Sequence, residues 1–356
     1  MKRSNDIFEL AKEGQIKKLI CGAAVTDLEI IKRTSFLAGM AGQDIVDVSG
    51  TCAETVMAAV EGCKIACQCR PTILKPIVMA SITPSEDDVH FRKASFNADA
   101  CKMCEQCIKI CPMEAITIDN SGTPAIHFSD DRCRGCCRCM QVCPAGAFTM
   151  MHLNVPDAVT TIRQALAAGA EAIEIHVSGK PAIEIQNILE IVNPIIADSV
   201  LSVCIGSLQS SPAQVAEVTR TISALRQGIP TFVQSDGSTM GVSGHGISAL
   251  ATAEVILSCQ CPDIYVIASG DCSTLTWTIA RLGKIPIAGV AMGIYMRERL
   301  RHLLDRPDLF SNERLWQEAA EIGNQVFLGI GSEGLPAHSR ILGAALCEVI
   351  GRRSEK

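Results

Sequence analysis

The sequence lacks a long apolar segment, an excess of basic residues and any low-complexity run, and each absence excludes a class of protein. Its longest apolar stretches, such as residues 246–259, are too short to cross a bilayer, and that one carries a glutamate. The net charge of −6 gives no electrostatic basis for binding nucleic acid. The charged amino-terminal segment has no apolar core, which predicts no secretory signal peptide. We therefore expect a soluble, cytoplasmic protein with neither a nucleic-acid partner nor a membrane span.

What the chain does have is a globular composition and many cysteines. Its 356 residues are 48% hydrophobic and 20% charged, enough for one large domain or two ordinary ones. Nineteen cysteines would suggest disulfides in a secreted protein. Without an export signal, and with eight of them in a metal-type pattern, they indicate a reducing compartment and metal binding.

The cysteines concentrate in two copies of one motif, C-x2-C-x2-C-x3-C-P. The copies read CKMCEQCIKICP at 101–112 and CRGCCRCMQVCP at 133–144. Three thiolates spaced by two residues can wrap one iron–sulfur cubane, whereas the fourth lies too far round the next turn and ligates the other cluster. We therefore predict two [4Fe-4S] clusters, the first held by Cys101, Cys104, Cys107 and Cys143 and the second by Cys133, Cys136, Cys139 and Cys111.

Residues 84–150, which contain both motifs, resemble the bacterial two-[4Fe-4S] ferredoxin fold. The apolar stretches after the two prolines, MEAITI and AGAFTM, are expected to form short strands that cover the clusters. Cys137 is surplus and is interpreted as a small spacer whose amide points at a cluster sulfur. Two alternatives stay open for Cys63, Cys67 and Cys69, namely a third metal site or half-buried small residues of a helix. The pair Cys259 and Cys261 is a weaker candidate of the same kind.

The rest of the chain alternates short apolar runs with helix-period segments. Eight candidate strands lie at 17–23, 44–50, 76–82, 171–179, 199–207, 230–237, 263–270 and 284–293. Periodicity alone does not separate a closed barrel from a doubly wound sheet, but eight strand–helix units favour a (β/α)8 barrel. We predict an α/β TIM-like barrel with the ferredoxin-like domain inserted after strand three. The expected divisions are 1–83 and 151–305 for the barrel, 84–150 for the insertion and 306–356 for a helical appendage.

The carboxyl ends of barrel strands form the mouth, where active sites of such barrels are built. The predicted strand ends place these residues there: Cys21, Asp47, Ser49, Ser81, Glu174, His176, Cys204, Gln234, Asp236, Ser269, Asp271 and Gly293. A phosphate or flavin mononucleotide (FMN) site is one interpretation, and ordinary turn chemistry is the other. Its candidate residues are Asp236, Gly237, Gly270, Asp271, Gly293 and His176. The polar loop at 234–246 adds Ser243 and His245.

Glu174 and His176 lie two residues apart on one strand, so both face the same side. They are interpreted either as a polar pair with an acid–base role at the mouth or as a hydrogen-bonded core pair. Arg132, Arg134 and Arg138 flank the second motif and could dock an acidic partner, or could be solvated.

With these motifs in hand, most of residues 15–305 resemble the light-dependent period protein family of cyanobacteria. The segments that carry the resemblance are KLICGAAVTDLEIIKRTSFLAGMAGQDIVDVSG, DVHFRKASFNADAC, both cysteine motifs, AIEIHVSG, FVQSDGSTMG and IAGVAMGIYMRERL. The family is described as iron–sulfur proteins that report cellular redox state to the circadian clock through partner proteins. The resemblance implies electron transfer or redox sensing, a protein redox or signalling partner, and the eight motif cysteines as cluster ligands.

Three functions follow from the sequence. The first is an electron-transfer or redox-sensing protein. The second is an oxidoreductase in which the clusters serve a flavin or an organic substrate at the barrel mouth. The third is a structural role, in which the clusters only stabilise the fold of the insertion.

Overall fold

The computed structural model describes residues 2–85, 88–197, 199–206, 210–237 and 246–328. Within these ranges the strands, in chain order, are β1 (Ile16–Gly22), β2 (Ile45–Ser49), β3 (Ile77–Ile82), β4 (Arg92–Phe96), β5 (Ile116–Asp119), β6 (Ala125–Phe128), β7 (Phe148–His152), β8 (Ala172–His176), β9 (Val200–Gly206), β10 (Thr231–Asp236), β11 (Ile264–Ser269) and β12 (Gly289–Met292).

The helices of the same ranges are α1 (Lys2–Lys12), α2 (Leu28–Met40), α3 (Ala53–Cys69), α4 (Gln106–Ile110), α5 (Arg138–Val142), α6 (Ala158–Ala167), α7 (Ala182–Ile196), α8 (Pro212–Leu225), α9 (Ile247–Ser258), α10 (Thr274–Leu282), α11 (Ile294–Leu304) and α12 (Glu313–Leu328).

Eight parallel strands close into a barrel in the order β1-β12-β11-β10-β9-β8-β3-β2. Closure is made by β1, which pairs with β2 on one side and with β12 on the other. Strands β2, β3, β8 and β9 are buried along their whole length, which explains their nearly continuous apolar sequences. The predicted (β/α)8 barrel is confirmed, and the doubly wound sheet is excluded.

Two predicted strands exceed the observed ones by more than two residues. The run at 284–293 contributes only Gly289–Met292. Lys284 has a φ of 53°, and Pro286 has no N–H to donate to a ladder, so pairing starts after them. The run at 171–179 ends as a strand at His176, because the chain turns at Gly179, whose φ is 79°.

The amino-terminal end of the barrel is closed by α1. Phe8 of this helix stacks on Phe232 of β10 with ring centroids 4.8 Å apart, and it also contacts Tyr265 of β11 at 5.4 Å. Burying three aromatic rings at this end stabilises the closure. Helix α1 therefore covers the end of the barrel opposite the carboxyl ends of the strands.

The cysteine-rich segment lies between β3 and α6, after the third barrel strand. The chain enters through β4 and leaves through the antiparallel partner β7, with Arg92 opposite His152. A second antiparallel pair joins β5 to β6. Strands β5 and β7 lie in the two stretches that follow the motif prolines, as the sequence predicts. A small apolar core that includes six of the eight motif cysteines packs between these pairs.

Helix α12 packs on the outside of the barrel against α2. Phe36 of α2 contacts Phe310 at 5.0 Å and Trp316 at 6.2 Å between ring centroids. Residues 329–356 of the predicted appendage lie outside the described residues. No helix within the described ranges combines the length and the apolar character that crossing a membrane requires.

Candidate functional site

The two cysteine motifs adopt the same backbone turn. In each, the residue before the second cysteine has a positive φ (Met103 at 52° and Gly135 at 72°), and so does the residue after it (Glu105 at 59° and Cys137 at 62°). A five-residue helix follows in both, α4 or α5, and ends at an extended cysteine before the proline. The sequence repeat is thus a structural repeat.

The second group of four thiols is made from both motifs. A cavity inside the insertion is lined by Cys133, Cys136 and Cys139 of the second motif together with Cys111 of the first. Burial, and then the neighbouring Cys133 and Cys136, raise the pKa of Cys139 to about 12. Cys107, by contrast, has Cys101 and Cys104 as its thiol neighbours. Cys111 therefore lies with the second motif and not with its own.

Backbone amides point at several of these sulfurs. Ala94 N and Gly135 N each lie 3.4 Å from Cys133 Sγ, Met103 N lies 3.4 Å from Cys101 Sγ, and Ala147 N lies 3.3 Å from Cys143 Sγ. Such N–H···S contacts stabilise the negative charge of thiolates and of cluster sulfur.

The spacing of the thiols does not suit a single metal ion. Among the described residues, no three motif sulfurs lie within 4.8 Å of one another. Four thiolates on one zinc ion would be about 3.8 Å apart, because Zn–S bonds are about 2.3 Å long in a tetrahedron. A larger polynuclear centre fits the wider spacing, so these cysteines fit iron–sulfur clusters better than zinc.

Cys137, the surplus cysteine of the second motif, also lines the cavity inside the insertion. Its thiol lies 3.5 Å from the carbonyl oxygen of Gly135, and its backbone supplies the left-handed turn before α5. That its amide points at a cluster sulfur stays a prediction.

The remaining cysteine groups lie in the helical layer. Cys63 is buried on α3, where its thiol faces the carbonyl of Ser35 at 3.8 Å, and burial raises its pKa to about 12. Cys69 faces the carbonyl of Phe310 at 3.6 Å, so the two point to different neighbours. Cys259 contacts carbonyls of α8 and α9. These contacts are those of packed small residues, and a third metal site at 63–69 stays a prediction.

The mouth of the barrel contains a cavity of about 260 Å³. Of the predicted mouth residues, the following line it: Asp47, Ser81, Glu174, His176, Gln234, Asp236, Ser269, Asp271 and Gly293. Cys21, Ser49 and Cys204 are buried outside its lining. Gly270 lines the cavity and Gly237 does not. Ser243 and His245 lie outside the described residues.

The cavity floor is organised by a fully buried lysine that sequence reasoning missed. Lys18 Nζ lies 2.5 Å from Glu174 Oε2, 2.9 Å from Asp47 Oδ2 and 2.7 Å from Gln234 Oε1. Burial opposes its charge, but Asp47 and Glu174 outweigh burial and raise the pKa of Lys18 above its usual value. Lys18 is therefore a charged structural centre and not a neutral nucleophile.

Above this floor, two histidines meet two carboxylates. His90 Nδ1 lies 2.9 Å from Asp88 Oδ1, and His90 Nε2 lies 3.2 Å from Asp236 Oδ2. Burial lowers the pKa of His90, but the hydrogen bonds to Asp236 and Asp88 outweigh this effect and raise it to about 10. Burial lowers the pKa of His176 to about 4. His176 thus stands in a polar cluster at the mouth, and not in a simple pair with Glu174.

Two buried arginines form the wall between the cavity and the second cysteine motif. Arg134 comes from the motif and Arg297 from α11, with 5% and 7% of their surfaces exposed. Arg134 Nε and Nη2 and Arg297 Nε find no hydrogen-bond partner among the residues that the structure describes. Unpartnered buried donors of this kind are costly unless a ligand accepts from them.

The insertion is held against the mouth by polar contacts. Thr26 N donates to the carbonyl of Asp131 at 2.8 Å, Arg132 pairs with Asp27 at 2.9 Å, and Arg301 pairs with Glu114. The second motif therefore faces the barrel. In the first motif, Cys104 is exposed to solvent.

Comparisons with known proteins agree with these observations. Residues 100–147 match the family of 4Fe-4S dicluster domains. The barrel is similar to the YdjI aldolase from Escherichia coli K12 (TM-score 0.44, 9% identity, 94% of this chain and 98% of that chain) and to "QR15, an Aldolase" (0.43, 12%, 83% and 99%). Likeness at that level adds nothing to the barrel already described.

A curated relative matches most of the chain. It is "Light dependent period A" of Synechococcus elongatus, 31% identical over 314 residues, which cover 84% of each protein. Its match extends over both the barrel and the dicluster segment, as the resemblance in the sequence led us to expect. The chain is thus an iron–sulfur protein and belongs to the light dependent period A family.

Proposed function

We propose that the insertion holds two [4Fe-4S] clusters and that the protein acts in electron transfer or redox sensing in a reducing cytoplasm. The proposed ligands of the first cluster are Cys101, Cys104, Cys107 and Cys143, and those of the second are Cys133, Cys136, Cys139 and Cys111. When bound, such clusters supply one-electron chemistry.

The observation that carries this proposal is the position of Cys111, the fourth cysteine of the first motif, beside the second motif. Cys111 lines the cavity of the second motif with Cys133, Cys136 and Cys139. A single mononuclear site in each motif would not need a thiol from the other one. Crossed thiols in two copies of C-x2-C-x2-C-x3-C-P are the arrangement of paired cubanes.

The two groups of thiols have different surroundings. Cys104 is exposed, so a protein partner can approach the first group directly. The second group is separated from the barrel cavity by Arg134, which lines both cavities. This asymmetry supports two different roles for the two groups of thiols. The exposed first group is where a protein redox or signalling partner would bind, and the second group faces the barrel mouth.

Anaerobic purification followed by metal and sulfide analysis tests the proposal. We expect about eight irons and about eight acid-labile sulfides per chain, with cluster signals that appear and disappear reversibly in a redox titration. One zinc per chain without sulfide would contradict the cluster assignment. Eight irons that stay redox-inactive down to about −700 mV would leave only a structural role.

A second candidate function is favoured by the arginine wall. An oxidoreductase with a flavin or an organic substrate at the mouth needs a cavity beside the clusters, and the cavity of about 260 Å³ lies there. The unpartnered donors of Arg134 and Arg297 suit a carboxylate or phosphate group of such a ligand. The proposed substrate class is therefore an organic anion.

FMN is one such anion, but the glycines predicted from the sequence do not all support an FMN site. A Cβ at Gly270 would lie 2.6 Å from Gly237 N, and one at Gly237 would lie 2.8 Å from Ala249 N. These two glycines are required for packing against each other and against α9. Gly293 has only Ile20 atoms nearby, at 3.7 and 3.8 Å. An FMN phosphate would therefore depend on Arg134 and Arg297 more than on the turn at Gly270.

Calorimetric titration of the anaerobic protein with inorganic phosphate and with FMN tests this second function. Replacing Arg297 by glutamine should weaken binding of either anion by at least about tenfold, since a hydrogen bond to a charged group contributes about 1.5–3 kcal/mol. R306Q is the control, because Arg306 pairs with Asp308 on the surface at 3.1 Å. Equal affinities in R297Q and R306Q, or no binding to the parent protein, would contradict an anion site here.

A further inference from the structure

We propose that Asp88, His90 and His176 form a mononuclear site for a divalent transition-metal ion, separate from the cluster cysteines. His176 ends β8, whereas Asp88 and His90 lie in the segment that leads from β3 to β4. One ligand atom from each of these residues lies within 4.8 Å of the other two. The inference does not depend on the proposed function of the insertion.

The distances between these atoms are close to those of a tetrahedral site. His90 Nδ1 lies 3.3 Å from His176 Nδ1 and 2.9 Å from Asp88 Oδ1, and His176 Nδ1 lies 3.7 Å from Asp88 Oδ2. Ligands held about 2.0–2.1 Å from a zinc ion are separated by about 3.3 Å in a tetrahedron. Two imidazole nitrogens and one carboxylate oxygen are a donor set that zinc and iron(II) accept.

The outer nitrogen of His90 faces a carboxylate within hydrogen-bond distance. His90 Nε2 lies 3.2 Å from Asp236 Oδ2, whereas His176 Nε2 lies 3.6 Å from Glu174 Oε1 and has no hydrogen-bond partner among the described residues. Metal-binding histidines commonly donate their other N–H to a carboxylate, which fixes the tautomer and the ring orientation. A proton on His90 Nε2 leaves the Nδ1 lone pair of that ring free to bind a metal ion, and His176 Nδ1 lies 3.3 Å from it.

The position left for a fourth ligand opens to the cavity at the mouth, because His90 and His176 both line it. Three protein ligands with one open position are the arrangement of catalytic zinc sites. An alternative group, Glu174, His176 and Cys204, also brings its ligand atoms together. We prefer the first group because Glu174 is already occupied by Lys18 and Cys204 is fully buried below the cavity.

Zinc titration of the anaerobic, cluster-loaded protein against a chromophoric chelator tests the site. We expect one zinc per chain to bind with iron content unchanged. Removing an outer hydrogen-bond partner of a ligand costs about 10–100-fold in metal affinity, so D236N should reduce zinc affinity by a factor in that range. H90A and H176A each remove a ligand and should reduce zinc affinity by more.

His302→Ala is the matched control, because His302 is an exposed histidine that also pairs with a carboxylate, Glu318, at 2.6 Å. Its zinc affinity should equal that of the parent protein. If H176A loses its iron and fails to fold, H90A carries the test, since the His90 side chain is 19% exposed. No zinc uptake, uptake indifferent to H90A, or uptake that displaces iron would overturn the proposal, and His90 would then be a protonated bridge between Asp88 and Asp236.

Discussion

Replacing Cys111 and Cys136 together by alanine should leave about four irons per chain, whereas replacing Cys104 and Cys111 together should leave markedly fewer. Cys111 and Cys136 line one cavity, so the first pair removes two ligands from one cluster. Cys104 and Cys111 belong to one motif in sequence but to different groups in the fold, so the second pair damages both clusters. Iron and sulfide analysis of anaerobic preparations measures the difference.

The outcome of these two variants distinguishes crossed from local ligation. If each motif held its own cluster, C104A/C111A would retain about four irons and C111A/C136A would lose more. Cys137→Ala is the control, because its thiol contacts the carbonyl of Gly135. This variant should keep the full iron content although Cys137 lies directly beside Cys136.

Replacing Lys18 by methionine should destabilise the barrel by about 3–5 kcal/mol, because removal of one partner leaves buried charges uncompensated. Glu174 and Asp47 are 0% and 2% exposed and would face each other without the ammonium group. Since an unfolding entropy of about 2.1 cal/mol/K per residue makes about 1 kcal/mol correspond to about 1.3 °C for 356 residues, the melting temperature should fall by roughly 5 °C. Thermal unfolding followed by far-ultraviolet circular dichroism measures it.

The loss in K18M should grow with pH. Burial raises the pKa of Asp47 even beside Lys18, and removing the lysine would raise it further. A carboxyl whose pKa is higher in the folded than in the unfolded protein favours folding while protonated, and this contribution disappears as pH rises through the folded pKa. K18M should therefore be closest to the parent protein in mild acid.

Lys12→Met is the matched control for Lys18→Met. Lys12 pairs with Glu9 at 2.6 Å, nearly the Lys18–Glu174 distance, but on the surface of α1. An exposed pair contributes about 0–1 kcal/mol, so this variant should melt within about 2 °C of the parent. A K18M protein as stable as K12M at neutral pH would contradict a charged centre under the cavity.

Adding D47N and E174Q to K18M should recover part of the lost stability, since no buried charge then lacks a partner.

The sequence predicted those parts of the fold that repeat or alternate along the chain. The eight barrel strands and the insertion after the third follow from apolar runs and from the repeated cysteine spacing. The assignment of Cys111 to the second cluster was inferred from the same spacing and is consistent with the observed cavity.

The groups that complete the mouth could not be found in this way. Lys18 lies in a strand that reads IKKLICG, and with both strand faces buried nothing local shows which of two adjacent lysines points inward. Asp88 and His90 meet Asp236 and His176 only because the chain between β3 and β4 folds over the mouth. Arg134 was noted in the sequence as a possible docking residue, and its burial against Arg297 depends on how the insertion lies on the barrel.

The pairing of β4 with β7 makes the whole cysteine-rich segment, topologically, a hairpin grafted onto one barrel loop. The entropic cost of closing such a loop rises only slowly with its length. The number of residues between those two strands therefore has little effect on the stability of the barrel. A barrel of this kind can acquire, enlarge or exchange an inserted domain without changes to its own strands. Such a domain lies beside the mouth, at the end of the barrel where active sites are built.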